Sequence, residues 1–188
     1  YTDTNPTYTG RVTVPILWDC KTHTIVNNES SEIIRIINGP LAQLGHGEID
    51  LYPTQHRDEI DGLNALIYPN VNNGVYRAGF ATAQDAYEDA VRALFDTLDL
   101  LESRLARQHF LVGNQLTEAD VRLFTTLIRF DVVYHTHFKC NLKHLLDYPN
   151  LSQYMRRIYD MPGISQTCHI DHVKTHYFGS HPTINPSG

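Results

Sequence analysis

The pattern of apolar and polar positions changes character once along the chain. Residues 11–19, Arg-Val-Thr-Val-Pro-Ile-Leu-Trp-Asp, are apolar and β-branched, and Thr24-Ile25-Val26 repeats that character after a polar interval ending in Cys20-Lys21-Thr22-His23. Short runs of this kind around a polar break predict two strands joined by a tight turn. Asn27-Asn28-Glu29-Ser30 then opens a helix whose Ile33, Ile34, Ile36 and Ile37 form a broad apolar stripe, and Asn38-Gly39-Pro40 ends it. Residues 41–56, rich in Gly and polar side chains, read as a linker.

Beyond the linker every long segment has a helical period. One helix is expected over residues 57–68, with a break at Asn72-Asn73-Gly74, where positive φ is easily reached. A second is expected over residues 83–107, with Tyr87, Val91, Leu94, Leu98, Leu101 and Leu105 on one side. A third begins at Thr117-Glu118-Ala119-Asp120, a capping-box-like start with Thr117 as N-cap and Leu116 and Val121 placed as a hydrophobic staple. A fourth is expected over residues 150–159, and a shorter one after Pro162-Gly163. The sum is an α+β chain, mostly α. Residues 1–40 make a small mixed unit, 41–56 a linker, and 57–188 an all-helical domain.

Charge adds little to this picture. Fifteen Lys+Arg against 21 Asp+Glu give a formal net charge of -6, which argues against nucleic-acid or anionic-membrane binding. Much of the acidic excess lies between residues 81 and 105, where it reads as the solvated face of a helix. Cys20, Cys140 and Cys168 are odd in number and widely spaced, so neither a disulfide framework nor a zinc knuckle is expected, and a reducing compartment fits best. The chain shows no apolar run of membrane-spanning length, and it opens at Tyr1 without a Met, so an N-terminus processed, truncated or partly disordered is expected.

Two local features carry candidate chemistry. Val14-Pro15 near a strand start reads by itself as an edge-strand residue. Glu29-Ser30 reads as a helix cap, yet a helix start also presents N–H groups and a positive dipole end, suited to the carboxylate of a γ-glutamyl group. Eleven histidines include His135-x-His137 and His172-x3-His176, spaced like metal ligands, but no Glu or Cys completes a set, so no metal is expected.

In order, these features resemble the glutathione transferase superfamily: strand with Val-Pro, turn, strand, Glu-Ser opening a helix, linker, all-helical domain. Longer blocks point to one branch. Residues 11–19, Ile25-Val-Asn-Asn-Glu-Ser-Ser-Glu-Ile-Ile-Arg35, Val71-Asn-Asn-Gly-Val-Tyr-Arg-Ala-Gly-Phe80, His137-Phe-Lys-Cys-Asn141 and His176-Tyr-Phe-Gly-Ser-His-Pro-Thr-Ile-Asn-Pro186 closely resemble the glutathionyl-hydroquinone reductases, the Xi class. The resemblance implies a thioredoxin-like half followed by the transferase helical domain, with glutathione as cosubstrate, aromatic quinol conjugates as partners, a homodimer and a cytoplasmic location.

It also implies site residues. Arg11, Val12, Thr13, Val14, Glu29 and Ser30 match the glutathione contacts. Tyr76 matches a proton donor or acceptor toward the hydroquinone oxygen, and Tyr134 and Tyr177 match tyrosines that lower the pKa of the nucleophile. The family's nucleophile lies in a Cys-Pro-Trp-Ala motif on a first strand and helix, and no such motif occurs in these 188 residues. The nucleophile is expected in a part of the parent protein outside this chain. Cys20, Cys140 and Cys168 are expected to be structural or incidental. Taken alone, each tyrosine reads as a core or rim aromatic rather than a catalytic one. A non-catalytic glutathione-transferase-like module that binds glutathione or a partner protein, and a general glutathione transferase, are the alternatives.

Overall fold

The computed structural model describes residues 1–45 and 49–187. Two compact units divide the chain, residues 1–53 and 54–188. The linker expected at 41–56 includes residues 46–48, which lie outside the described residues.

In the first unit, β1 (Leu17–Asp19) pairs antiparallel with β2 (Thr24–Asn27), with Trp18 opposite Ile25, Asp19 opposite Thr24 and a bulge beside Leu17. The turn is stabilised by Asp19, whose carboxylate accepts the N–H groups of Lys21 (2.8 Å) and Thr22 (3.2 Å). Helix α1 (Ser30–Asn38) follows, closed by a backbone bond from Gly39 to Arg35. Asn38 then ties the next turn of chain, bonding Asp50 (2.9 Å) and the Leu51 N–H (2.7 Å).

The first strand is shorter than its sequence suggests. Residues 11–16 lie outside the sheet, because a strand exists only where a neighbour accepts its hydrogen bonds, and β2 pairs only as far as Leu17. From Tyr1 to Tyr52 no described residue is buried. Two strands and one helix are too little to bury a core of their own, so Val12, Val14 and Leu44 stay 72%, 85% and 80% exposed.

The second unit holds the core. Helix α2 (Arg57–Ile67) buries Ile60, Leu63 and Ile67, and α4 (Gln84–Leu105) buries Val91, Leu94, Leu98, Leu101 and Leu105 on the expected stripe, Tyr87 being only partly covered. Between them, the expected break with positive φ does not occur. The chain instead passes through a wide helical turn at Tyr68–Asn72, closed by an Asn73-to-Tyr68 bond of 2.8 Å, with Asn73 at φ -85, and runs straight into α3 (Gly74–Gly79). The helical backbone satisfies its bonds through the extra residue, so no turn is needed.

Helix α5 (Glu118–Arg129) starts at the expected capping box. The Asp120 carboxylate accepts the Thr117 N–H (2.8 Å) and hydroxyl (2.9 Å), the Leu111 N–H (2.8 Å) and the Tyr154 hydroxyl (2.9 Å). A second wide turn, Phe130–Tyr134, leads into the short α6 (His135–His137). Then come α7 (Pro149–Tyr159) and α8 (Ile170–Ser180).

Three further sequence expectations change. The acidic face of α4 is not merely solvated: Asp99 pairs with Lys143 (2.8 Å), and Glu102 caps α7 by accepting the N–H groups of Asn150 (2.9 Å) and Leu151 (2.8 Å). The last helix is no shorter than α7, each having 11 residues. The helix expected directly after Pro162-Gly163 begins only at Ile170, so Cys168 lies before its first turn.

Candidate functional site

The residues matched to glutathione contacts all lie in the first unit. Arg11, Val12, Thr13 and Val14 form an exposed segment without regular structure, ending at a cis Val14–Pro15 bond. Thr13 is held from two sides: the Tyr1 hydroxyl donates to its carbonyl (2.9 Å), and the Asn28 amide reaches its Oγ1 (3.3 Å). Glu29 occupies the N-cap position of α1 with extended backbone and no side-chain cap bond, its N–H donating instead to Asn27 Oδ1 (2.7 Å). Glu29 and Ser30 therefore stand exposed at a helix start, with the Glu29 carboxylate not used as a cap.

The three tyrosines lie in the second unit, on three different elements. Tyr76 is on α3, Tyr134 ends the wide turn Phe130–Tyr134, and Tyr177 is on α8. Both wide turns bear on this arrangement, since one precedes Tyr76 and the other carries Tyr134. An extra residue per turn rotates every later side chain around the helix axis, away from the face a regular period assigns.

The phenolic oxygens converge. Tyr177 is hydrogen-bonded to Tyr134 (2.9 Å) and, closer still, to Tyr76. Exposure grades along the chain of bonds: Tyr134 is 3% exposed, Tyr177 6% and Tyr76 38%. Burial pushes the phenols of Tyr134 and Tyr177 well above the ordinary tyrosine range, for Tyr134 with added repulsion from its phenol neighbours. Both therefore remain protonated and able to donate.

The Phe138 ring is the floor of the cluster. It is fully buried, stacks on Tyr134 (centroids 5.5 Å apart, 13° between planes) and meets Tyr76 (5.2 Å) and Tyr177 (5.7 Å) edge to face. It fits only because residue 79 is glycine, as a Cβ there would overlap the ring. Beyond it, His137 Nε2 and His181 Nδ1 are 3.0 Å apart, and Phe80 packs edge to face on His181 (5.2 Å).

The sequence singled out the tyrosines but not Phe138, Gly79 or His181. The one signal was that all three fall inside blocks already matched to the family. His135, grouped with His137 as a spaced pair, stacks on His144 instead (3.7 Å), because neighbours two apart on a helix point in different directions. Among the described residues no group of three His, Cys, Asp or Glu is placed to hold a metal ion.

The cysteines lie apart from this chemistry. Cys140 is fully buried, its thiol pushed up to about 12 by desolvation, which makes it a poor nucleophile. Cys20 is exposed in the hairpin turn, and Cys168 is partly covered, its thiol near the Ile164 carbonyl (3.5 Å). None of the described helices is long and apolar enough to cross a membrane.

Comparison with known proteins agrees with this architecture. Residues 84–157 match the family model described as the glutathione S-transferase C-terminal domain. The chain is 55% identical over all its 188 residues to glutathionyl-hydroquinone reductase PcpF of Sphingobium chlorophenolicum, covering 60% of that protein. It is 56% identical to glutathionyl-hydroquinone reductase YqjG of Escherichia coli K-12, covering 57%. The chain thus spans roughly three fifths of the length of these relatives.

Among solved structures, glutathione-bound YqjG superposes with a TM-score of 0.97 at 56% identity, over all of this chain and 61% of that one. The Xi glutathione transferase of Phanerochaete chrysosporium superposes with 0.96 at 54% identity, over 99% and 61%.

Proposed function

We propose, for a chain that belongs to the Xi-class glutathione transferases, that it is the larger part of an enzyme reducing S-glutathionyl-hydroquinones to hydroquinones with glutathione. Glutathione is assigned to Arg11–Val14 and Glu29-Ser30 of the first unit. The quinol oxygen is assigned to the tyrosines of the second. The observation that carries this is the convergence of Tyr76, Tyr134 and Tyr177 into one hydrogen-bonded chain with a single exposed end.

The glutathione assignment rests on local chemistry. The exposed segment before the cis bond, unpaired in the sheet, offers backbone N–H and carbonyl groups for pairing with the cysteinyl part of glutathione. The start of α1 offers its positive dipole end and the Ser30 hydroxyl to the γ-glutamyl carboxylate, and Glu29 offers a carboxylate to the ammonium. Arg11 suits the tripeptide's net negative charge.

The reaction then runs as follows. A cysteine thiolate, supplied by residues of the parent protein outside this chain, attacks the glutathionyl sulfur. The carbon–sulfur bond breaks, its electron pair stays with the quinol ring, and the ring takes up a proton. A second glutathione attacks the resulting mixed disulfide, so that glutathione disulfide leaves and the cysteine is reduced again.

Burial keeps Tyr134 and Tyr177 neutral, so they are able to donate outward along the chain, Tyr134 to Tyr177 and Tyr177 to Tyr76. The Tyr76 proton is thereby free to bond the quinol oxygen as negative charge develops on it. Opening of the Tyr76–Tyr177 bond would instead free Tyr177 to donate to the thiolate, which suits the pKa-lowering role matched to it.

A cytoplasmic, reducing location and a homodimer belong to the same reading. Its test uses the full-length protein with glutathione and a glutathionyl-hydroquinone. Free hydroquinone and glutathione disulfide are expected in equal amounts, and a full-length sequence without a cysteine before residue 1 overturns the proposal. Conjugation of glutathione to an electrophile with no quinol release would favour a general transferase.

A further inference from the structure

The Tyr134–Tyr177 bond is one of two hydrogen-bonded contacts between the same two segments. Tyr134 and His137 are three residues apart on one helical stretch, while Tyr177 lies in the last turn of α8 and His181 is the residue that caps its C-terminus, four positions on. Across the gap, Tyr134 meets Tyr177 at 2.9 Å and His137 meets His181 at 3.0 Å.

We propose that the His137–His181 bond is a positioning element of the tyrosine site, a second rung that sets the register of α8 so that the Tyr177 hydroxyl lies between those of Tyr134 and Tyr76. The proposal rests on the functional reading above only for its effect on the reaction; the register itself is a property of the fold.

Packing alone holds α8 weakly. Among its described residues only Tyr177 is buried, whereas α7, of equal length, buries Leu151, Ser152, Tyr154 and Ile158. With one buried side chain, α8 leans on its directional bonds, and the two made by Tyr177 meet at a single oxygen, which leaves rotation about that point free. Two bonds one turn apart remove that freedom.

The second rung is shielded on its His137 side, and His181 is partly covered. His137 is 4% exposed, and its ring packs against Phe178 (5.1 Å), while Phe80 (5.2 Å) and Phe138 (5.9 Å) approach His181. In such surroundings a lost bond is not readily replaced by water.

A single proton lies between the two ring nitrogens, so the bond needs at least one neutral ring as acceptor. The titratable groups facing the pair are His176 and Tyr177 on α8, Tyr134, and Tyr76 beyond Tyr177. Desolvation first, and the partner ring second, lower the pKa of His137; for His181 the second cause is His176, with the Tyr177 backbone opposing. Folded values below the unfolded one mean that the contribution is full above about pH 6.5 and is lost as pH falls through the lowered values.

The test uses the full-length protein with His137→Leu, His181→Leu, the double variant, and His181→Asn, whose amide reaches the position of Nδ1. Each leucine variant should speed amide exchange across residues 173–180 about tenfold or more while leaving α7 unchanged. Each should also lower kcat for quinol release about tenfold with KM within about twofold.

The double variant should be no worse than the worse single, as expected for partners in one bond. His181→Asn should restore most of the protection. Unchanged α8 exchange in either leucine variant, full additivity in the double, or loosened α8 with unchanged kcat would overturn the proposal. Should the wild-type protein release no hydroquinone, the functional reading fails while the exchange and additivity measurements still decide the rung.

Discussion

Tyr76 is the residue on which the proposed chemistry can be read most directly. Its hydroxyl is the exposed end of the phenol chain, so Tyr76→Phe should lower kcat about 100-fold with KM nearly unchanged, measured as hydroquinone release. A change of less than threefold would remove Tyr76 from the reaction. Gly79 acts through shape: Gly79→Ala forces the buried Phe138 ring to move, and we expect a loss of about 2–3 kcal/mol in urea unfolding. The sequence marked the tyrosines through the blocks around them. It did not mark Gly79 or Phe138, because a glycine's reason to be small is the ring packed on it, 59 positions later.

Helix ends and helix phase are settled at the scale of the element. The Thr117 capping box was legible because its two partners are three residues apart, but Asp120 also serves Leu111 and Tyr154, which no local pattern reveals. Asp120→Ala should therefore cost about 3 kcal/mol, more than the roughly 1 kcal/mol of a simple cap, because it leaves buried donors unpaired; thermal unfolding checks this. Glu102 is a comparable case, an acid on a helix read as solvated that caps α7 from another element. Glu102→Gln should weaken α7 by about 1 kcal/mol, visible as faster exchange confined to its first turn. The wide turns at Tyr68–Asn72 and Phe130–Tyr134 escaped the period analysis, since a single added residue leaves the apolar spacing on both sides intact.

For the molecule as a whole, the two units differ in what holds them. Among the described residues the apolar core lies in the second, and from Tyr1 to Tyr52 none is buried. Amide exchange on residues 1–188 alone should find the first unit nearly unprotected and the second protected by a single cooperative opening. In the full-length protein, protection of β1, β2 and α1 should rise by at least about tenfold, because the added residues would cover Val12, Val14 and Leu44. Equal protection in both would mean that no further layer packs there.

By itself the sequence determined the order of the two strands and the long helices, the apolar faces of those helices, the cap of α5 and the family blocks, but neither α3 nor α6. All of these are carried by residues within a turn or two of each other, or by stretches long enough to match as text. Only the tertiary structure decided that Tyr76, Tyr134 and Tyr177 share one chain of hydrogen bonds, that Phe138 underlies them and that His137 pairs with His181. These partners are 43 to 101 residues apart wherever they join different segments, and two wide helical turns shift the phase between them. Local periodicity fixes which side of each helix is apolar, whereas the meeting of polar tips depends on rotations that only packing settles.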